Sequence, residues 1–311
     1  EETIQKILDD GTFPLALKPE LVKNILIHLE SGKDVILVGA PGVGKTALVT
    51  RILGYRSKLL GKDEPVIAVA HADWTRRDLI GGLSLDNTEF SRGKMLEAIE
   101  DDELLLIDEF NRADINKAFG EMFYAREYGS IRLSEDEGKI HPPRTIEIPE
   151  DFQFMGTMND FDKNLLLTEL SYGLITRLAF VEVEPAIEKE EEAVKGQIDD
   201  TTNYEEMQKQ ITGYYDFINQ VREERMIGVR TSLDIIKYLL QAFTDSQNET
   251  EHWKNLDVAL CVFLEPQFDR LDINLIDHVL KSSKTHFADN ITDFNKQLEK
   301  KKKSLKGMMS L

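Results

Sequence analysis

The sequence predicts a doubly wound, mostly parallel α/β domain followed by a smaller all-helical domain. Three observations predict it. Through residue 184, short apolar runs alternate with helical stretches at the spacing of repeated βαβ units. A glycine-rich loop joins the first of these strands to the helix behind it. After Pro185 the strand pattern stops and only helical periodicity continues.

In chain order, Pro19–Glu30 reads as a helix with proline in its first turn, followed by a strand over Asp34–Gly39. A helix over Thr46–Leu60 leads to the strand Pro65–His71, and a helix over Met95–Glu100 leads to the strand Leu104–Asp108. A helix over Asn116–Glu127 comes next. Residues 131–148 break the pattern: Ile131/Leu133 and Ile146/Ile148 alternate around the polar centre Ser134–Lys139, which predicts an inserted β-hairpin. The strand Phe152–Asn159, a helix over Leu165–Ile175 and the strand Leu178–Val183 close the first domain, placed at 1–184. The second domain, 185–311, carries helical patterns over Ile187–Gln197, Tyr204–Arg225, Ser232–Phe243, His252–Leu264, Leu275–Ser283 and Ile291–Lys303. The acidic stretch Glu188–Glu192 is the expected hinge between domains.

Composition bounds the function. The chain has 311 residues, 41% hydrophobic and 31% charged, enough to bury a sizeable core. No apolar run approaches the ~18 residues of a membrane span. The chain opens on Glu1-Glu2, with no basic-then-apolar leader and no initiator Met, so a cytoplasmic location and an upstream segment removed from the chain are both expected. One cysteine, Cys261, excludes an internal disulfide and a multi-cysteine zinc site, and the six histidines lack metal-ligand spacing. The net charge is −19, split as −13 over 1–184 and −6 over 185–311. A broad basic face for nucleic acid is therefore excluded, although a narrow basic ring made by several copies would not register in these totals. Lys300–Lys303 with Lys306 reads as the solvated end of a last helix, with a nucleic-acid or partner tail as the alternative.

The chemistry is concentrated in three places. Gly39-Ala40-Pro41-Gly42-Val43-Gly44-Lys45-Thr46 fits the phosphate-cradling pattern G-x-x-x-x-G-K-[ST], in the strand-to-helix setting it requires. Backbone N–H groups of such a loop close around phosphate oxygens, Lys45 would neutralise the β- and γ-phosphates, and the Thr46 hydroxyl would ligate Mg²⁺. Leu104–Ile107 is an apolar strand that delivers Asp108 and Glu109 to its carboxyl end. Asp108 would hold the magnesium through its water shell, and Glu109 would polarise an attacking water. Together the two motifs imply Mg²⁺-dependent hydrolysis of a nucleoside triphosphate. At the end of the fourth main strand, Asn159 could orient that water without competing as a base. Of two weaker features, Trp74-Thr75-Arg76-Arg77-Asp78 reads as domain-edge packing with solvated arginines, with a partner or pore contact as the alternative, and the hairpin around Ser134–Lys139 could likewise face a pore, its acidic tip Glu135–Glu137 arguing against a grip on DNA.

The P-loop, Leu104–Glu109 with Phe110-Asn111-Arg112-Ala113, and Met158-Asn159 behind a hairpin resemble the AAA+ class, within the branch of MoxR-type ATPases, dynein-like modules and McrB. Met158-Asn159-x-x-Asp162-Lys163 is closer to the McrB signature than to the Met-Asn-Pro of MoxR proteins. Ser171–Arg177 also tracks the McrB stretch before the fifth strand, and Leu264–Phe268 resembles part of its lid. The resemblance implies a GTP-hydrolysing motor that forms a hexameric ring and works with a McrC-like nuclease subunit. It also implies DNA reading by an upstream domain that nothing here resembles, or access through the ring pore. It places Asn159 at sensor one, Asp162 and Lys163 in water positioning and subunit contact, Arg177 as an arginine finger reaching a neighbouring subunit, and Arg230 at sensor two. McrB proteins carry consecutive arginines before Phe, whereas this chain has Thr176-Arg177-Leu178. GTP rests on the resemblance alone, since no residue excludes an adenine base. A MoxR-like ATPase that remodels a protein partner or assists metal-cofactor insertion, and a nucleotide-gated scaffold, remain alternatives.

Overall fold

A computed structural model describes residues 2–9, 15–83, 90–133, 145–159, 178–198, 203–243, 248–268 and 273–309. The chain divides into two compact units. The first takes residues 1–11, 17–40 and 44–184, and the second takes 12–16, 41–43 and 185–311.

The first unit is built on a five-stranded parallel sheet in the order β2-β5-β8-β1-β9. These strands are β1 (Asp34–Gly39), β2 (Val66–Val69), β5 (Leu105–Asp108), β8 (Phe154–Asn159) and β9 (Leu178–Glu182). Val35, Ile36, Leu37 and Val38 are buried throughout because helices cover both faces of a parallel sheet. The edge strand β2 behaves differently: Val66 and Ala68 are buried while Ile67 and Val69 are exposed. Helices α1 (Glu2–Asp9), α2 (Pro19–Glu30), α3 (Lys45–Leu60), α5 (Lys94–Glu100) and α6 (Ile115–Tyr128) complete the unit, with the single turn α4 at Arg76–Leu79. Gly61, with φ +72°, ends α3, and Gly129, with φ +73°, ends α6; both take the left-handed conformation that closes a helix without a Cβ penalty. The inserted hairpin forms at its base, where β6 (Ser130–Arg132) pairs antiparallel with β7 (Thr145–Glu147). Its centre, Ser134–Lys139, lies outside the described residues, as does the expected helix Leu165–Ile175.

Two features add to the expected elements. A second small hairpin, β3 (Gly81–Leu83) with β4 (Phe90–Arg92), stands between α4 and α5. The turn α4 is capped by Thr75, whose side chain accepts the Arg77 N–H while Asp78 reaches back to the Thr75 N–H. Trp74, beside it, is buried against Phe119 with ring centroids 5.9 Å apart, and Arg76 ion-pairs with Glu121. This segment packs into its own unit, with Arg76 paired where its sequence reads as solvated.

The second unit is helical: α7 (Glu190–Lys195), α8 (Gln208–Arg222), α9 (Val229–Ala242), α10 (Glu249–Ala259), α11 (Ile273–Phe287) and α12 (Asp293–Met309). Its core gathers Tyr214, Phe217, Leu239, Trp253, Leu260, Phe287 and Phe294. The helix α10 is held by an Asn248/Glu251 capping box and runs on through a π-helical turn at Leu260–Leu264. Lysines of α12 are partly engaged, Lys301 with Glu265 at 2.8 Å and Lys302 with Asp277. The acidic stretch Glu188–Glu192, expected as the hinge between domains, falls within the second unit, which takes up the chain again at Pro185. Ile187–Lys189 is a 3₁₀ turn, α7 follows at once, and Glu190 is fully buried in a two-pronged ion pair with Arg222. A run of acids reads as solvated unless one of them finds a buried cation, and Arg222, 32 residues away, supplies it. Among the described residues no helix is long and apolar enough to cross a membrane.

Candidate active site

The site grows from the register of three adjacent strands. β8 lies between β5 and β1, pairing Gly39 with Asn159 and Leu37 with Thr157 on one side, and Ile107 with Gly156 on the other. Strand ends carrying Gly39, Asp108 and Asn159 are thus neighbours at the carboxyl edge of the sheet, where open α/β sheets place ligands. The Ile36 side chain packs close over Gly156, where an added Cβ would stand 2.6 Å from Ile36 Cδ1. At the opposite end of β1, the buried Asp34 carboxylate accepts two hydrogen bonds from Arg126, at 3.1 and 3.2 Å, and one from the Phe154 N–H. Burial pushes this carboxyl above the ordinary range, against the opposing Arg126 charge.

After β1 the backbone turns through Gly42 and Gly44, at φ +76° and +96°, values that L side chains rarely adopt. The turn delivers the chain into α3, whose first N–H groups have no partner within the helix and make its N-terminus an anion site. Lys45 opens α3 and is only 8% exposed. Its ammonium donates to the Gly39 and Ala40 carbonyls at 2.7 and 2.8 Å and lies 3.4 Å from Asn159 Oδ1. One residue on, the Thr46 hydroxyl donates to Asp108 Oδ1 at 3.0 Å. Hydroxyl and carboxylate are the hard oxygen donors that Mg²⁺ takes, normally with waters and phosphate oxygens completing the shell, so these two residues fit that ion. Among the described residues no three His, Cys, Asp or Glu side chains gather into a closed metal cage.

Glu109 leaves the sheet at φ +55°, an uncommon conformation for a residue with a Cβ and one that concentrates at functional sites. Its carboxylate pairs with Arg112 at 2.7 Å across the 3₁₀ turn Phe110–Arg112. The turn is anchored by Phe110, buried and stacked on Phe119 at 4.3 Å. Two residues that the sequence reading left without a role stand in this cluster: Arg112, and Thr157, whose hydroxyl meets both Asp108 and the Glu109 N–H. The available signal for Thr157 was a hydroxyl inside an otherwise apolar strand, two positions before Asn159 and hence on the same face.

Gly39, Gly44, Lys45, Thr46, Asp108, Glu109 and Asn159 all lie in the first unit, and Lys45 contacts Asn159 as Thr46 contacts Asp108. Pro41, Gly42 and Val43 group with the second unit. Arg230 also lies there, in the first turn of α9; its side chain is 71% exposed and pairs with Asp234 at 3.2 Å. Asp162, Lys163 and Arg177 lie outside the described residues. The arrangement can receive a polyphosphate at the loop, share a divalent cation between Thr46 and Asp108, and present a carboxylate and an amide beside it.

Comparison with known proteins agrees with this chemistry. The chain is 29% identical over 199 residues to the type IV methyl-directed restriction enzyme EcoKMcrB subunit of Escherichia coli (strain K12), a match covering 58% of this chain and 42% of that protein. The matched region thus spans less than half the length of that relative. NtrX from Brucella abortus, solved in complex with ADP, superposes with a TM-score of 0.48 at 12% identity, covering 94% of this chain and 67% of that one. A likeness that loose carries no functional argument. Residues 34–178, which hold the whole parallel sheet up to its last strand, match the AAA domain of the dynein-related subfamily.

Proposed function

We propose that the chain is a Mg²⁺-dependent nucleoside triphosphatase, with GTP preferred over ATP, that works as the ring-forming motor of a DNA-restriction system. The observation that carries the reading is the meeting of Lys45, Thr46, Asp108, Glu109 and Asn159 at one edge of the sheet. In this reading the loop N–H groups and Lys45 bind the β- and γ-phosphates, exchanging the lysine's present carbonyl partners for phosphate oxygens. Thr46 and Asp108 hold the magnesium, which, when bound, neutralises charge developing on the phosphates. Asn159 orients the attacking water beside the γ-phosphate, and Glu109, released from Arg112, accepts its proton.

The rest of the site comes from a neighbour. Arg177 reaches the adjacent subunit's γ-phosphate, with Asp162 and Lys163 at the same junction, and Arg230, in the second domain placed at 185–311, serves as sensor two. The active unit is a hexameric ring in the cytoplasm that drives a McrC-like nuclease subunit, and it meets DNA only through an upstream domain or the pore. Similarity to the E. coli methyl-directed restriction enzyme subunit supports the restriction setting, and the partner and the nucleotide rest on the motif resemblance.

The shared site is tested by complementation. Arg177→Ala should bind nucleotide while hydrolysis falls by about 10³-fold or more, the range of arginine fingers. Mixing it with Lys45→Ala subunits should restore part of the turnover, because each mutant completes the other's site. Mixtures no more active than either variant alone would refute a finger acting between subunits.

A further inference from the structure

We infer that Thr157 is a positioning residue that sets the metal-side carboxylate Asp108 and the backbone of Glu109 at once, an inference that rests on the nucleotide-hydrolysing reading of the site. Thr157 is 2% exposed in β8 and lies beside the end of β5, one step beyond the Ile107–Gly156 pair. Its Oγ1 contacts Asp108 Oδ1 and lies 3.2 Å from the Glu109 nitrogen. Valence fixes how the proton is arranged. An amide N–H can only donate and an ionised carboxylate can only accept, so the hydroxyl accepts from Glu109 and gives its own proton to Asp108.

Both contacts have a reason. At Glu109 the backbone turns to φ +55° and leaves the ladder, so its N–H would lack a protein partner at a half-buried strand end without the hydroxyl. At Asp108 the same oxygen, Oδ1, receives two hydroxyls, from Thr157 and from Thr46. Oδ2 takes no hydrogen bond from a described residue and is left for the hydrated cation. Thr46 is itself a magnesium ligand in the proposed site, so its hydroxyl must turn its lone pair to the metal when the ion arrives. Thr157 is then the donor that keeps the carboxylate plane from rotating. The β-branched side chain suits this task, because its restricted χ1 in a packed strand aims the hydroxyl without help from a flexible linker. One side chain thereby ties the position of the cation's carboxylate to the position of the water-activating glutamate.

The test separates metal from nucleotide. A fluorescent GTP or ATP analogue is titrated into the full chain in EDTA and at graded Mg²⁺, for the parent and for Thr157→Val, Thr157→Ser and Asp108→Asn. Thr157→Val keeps the shape and removes both hydrogen bonds. It should bind nucleotide in EDTA as the parent does, yet need about 10- to 100-fold more Mg²⁺ for half of the metal-dependent gain, as outer-shell partners of metal ligands typically cost. Thr157→Ser should return the Mg²⁺ requirement to near the parent value, and Thr157→Val should add little on top of Asp108→Asn. An unchanged Mg²⁺ midpoint in Thr157→Val would overturn the assignment. If that variant does not fold, Thr157→Cys, of similar size but a poor donor, takes its place with the same expectation and the same refuting result. A parent chain that binds neither analogue, with or without Mg²⁺, would instead overturn the nucleotide-site reading itself.

Discussion

Substituting Glu190 by Ala should destabilise the helical unit severely, although the residue sits in a run of acids that resembles a solvated surface. Glu190 is fully buried, and its two oxygens receive Arg222 at 2.5 and 3.0 Å. Arg222 also donates to the Ile227 carbonyl at 2.9 Å and to Asn219 at 3.3 Å. Removing the glutamate leaves a buried guanidinium with its counter-charge gone, a change that typically costs about 3–5 kcal/mol. The double substitution Glu190→Leu/Arg222→Met removes both charges and leaves chiefly the Ile227 carbonyl unsatisfied, about 1–3 kcal/mol. Urea unfolding can isolate this unit, because the chain has two tryptophans and only Trp253 belongs to the helical core. In a Trp74→Phe background, Trp253 emission reports that core alone. With a slope of about 2 kcal/mol per molar urea, Glu190→Ala should lower the midpoint by about 2 M, and the double variant by clearly less. A shift worth under ~0.5 kcal/mol, the ordinary cost of a solvated substitution, would refute the buried-pair reasoning.

Three further outcomes follow from the described geometry. Lys45→Ala should lower nucleotide affinity about 10³-fold in a direct binding titration, since an ammonium ~4 Å from a phosphate contributes about 4 kcal/mol at an effective dielectric near 20; retained micromolar affinity would contradict the role of Lys45. Glu109→Gln should bind nucleotide and fail to turn it over in a phosphate-release assay, and substantial residual hydrolysis would remove Glu109 as the proton acceptor. Lys62 joins Asp102 and Asp151 at 2.5 and 2.9 Å, and its ammonium holds the Asp151 carboxyl below the usual carboxylate range. A carboxyl lowered in the folded state stabilises above its unfolded pKa and loses that contribution as pH falls through the folded value. Lys62→Met should therefore destabilise at pH 7, and the gap to the parent should close below about pH 4. A gap independent of pH would contradict the pairing.

The parallel sheet was legible because its strands announce themselves. Val35–Val38 and Leu104–Ile107 are unbroken apolar runs with glycine or carboxylates at their ends, and such runs arise when both faces are covered. Helix α2 was equally plain, with Pro19 opening it and Ser31-Gly32 closing it. The β3–β4 hairpin was not, since strands of three residues such as Gly81–Leu83 offer no alternation to read. α4 left a usable trace, the Thr75-x-x-Asp78 capping box, but a four-residue helix has no periodicity to support it. The burial of Glu190 was not legible, because burial of an acid depends on a partner far along the chain. In the site, Gly39 through Thr46, Asp108 and Glu109 were legible from local motifs whose spacing is set by the phosphate group. Thr157 was not, because its role arises from lying beside Asp108 across two strands 49 residues apart. That register is a property of the sheet and of no local segment.

The central claim is tested most directly by steady-state hydrolysis of GTP and ATP by the purified chain, side by side in Mg²⁺, with its size measured in each nucleotide. The account predicts GTP-selective turnover, abolished by EDTA, and hexamers that form only with nucleotide. ATP-selective turnover would leave the roles of Lys45, Asp108 and Glu109 standing and contradict the GTP-driven restriction motor in favour of a MoxR-like ATPase. Turnover of neither nucleotide, from a chain that binds both, would contradict the account of the site.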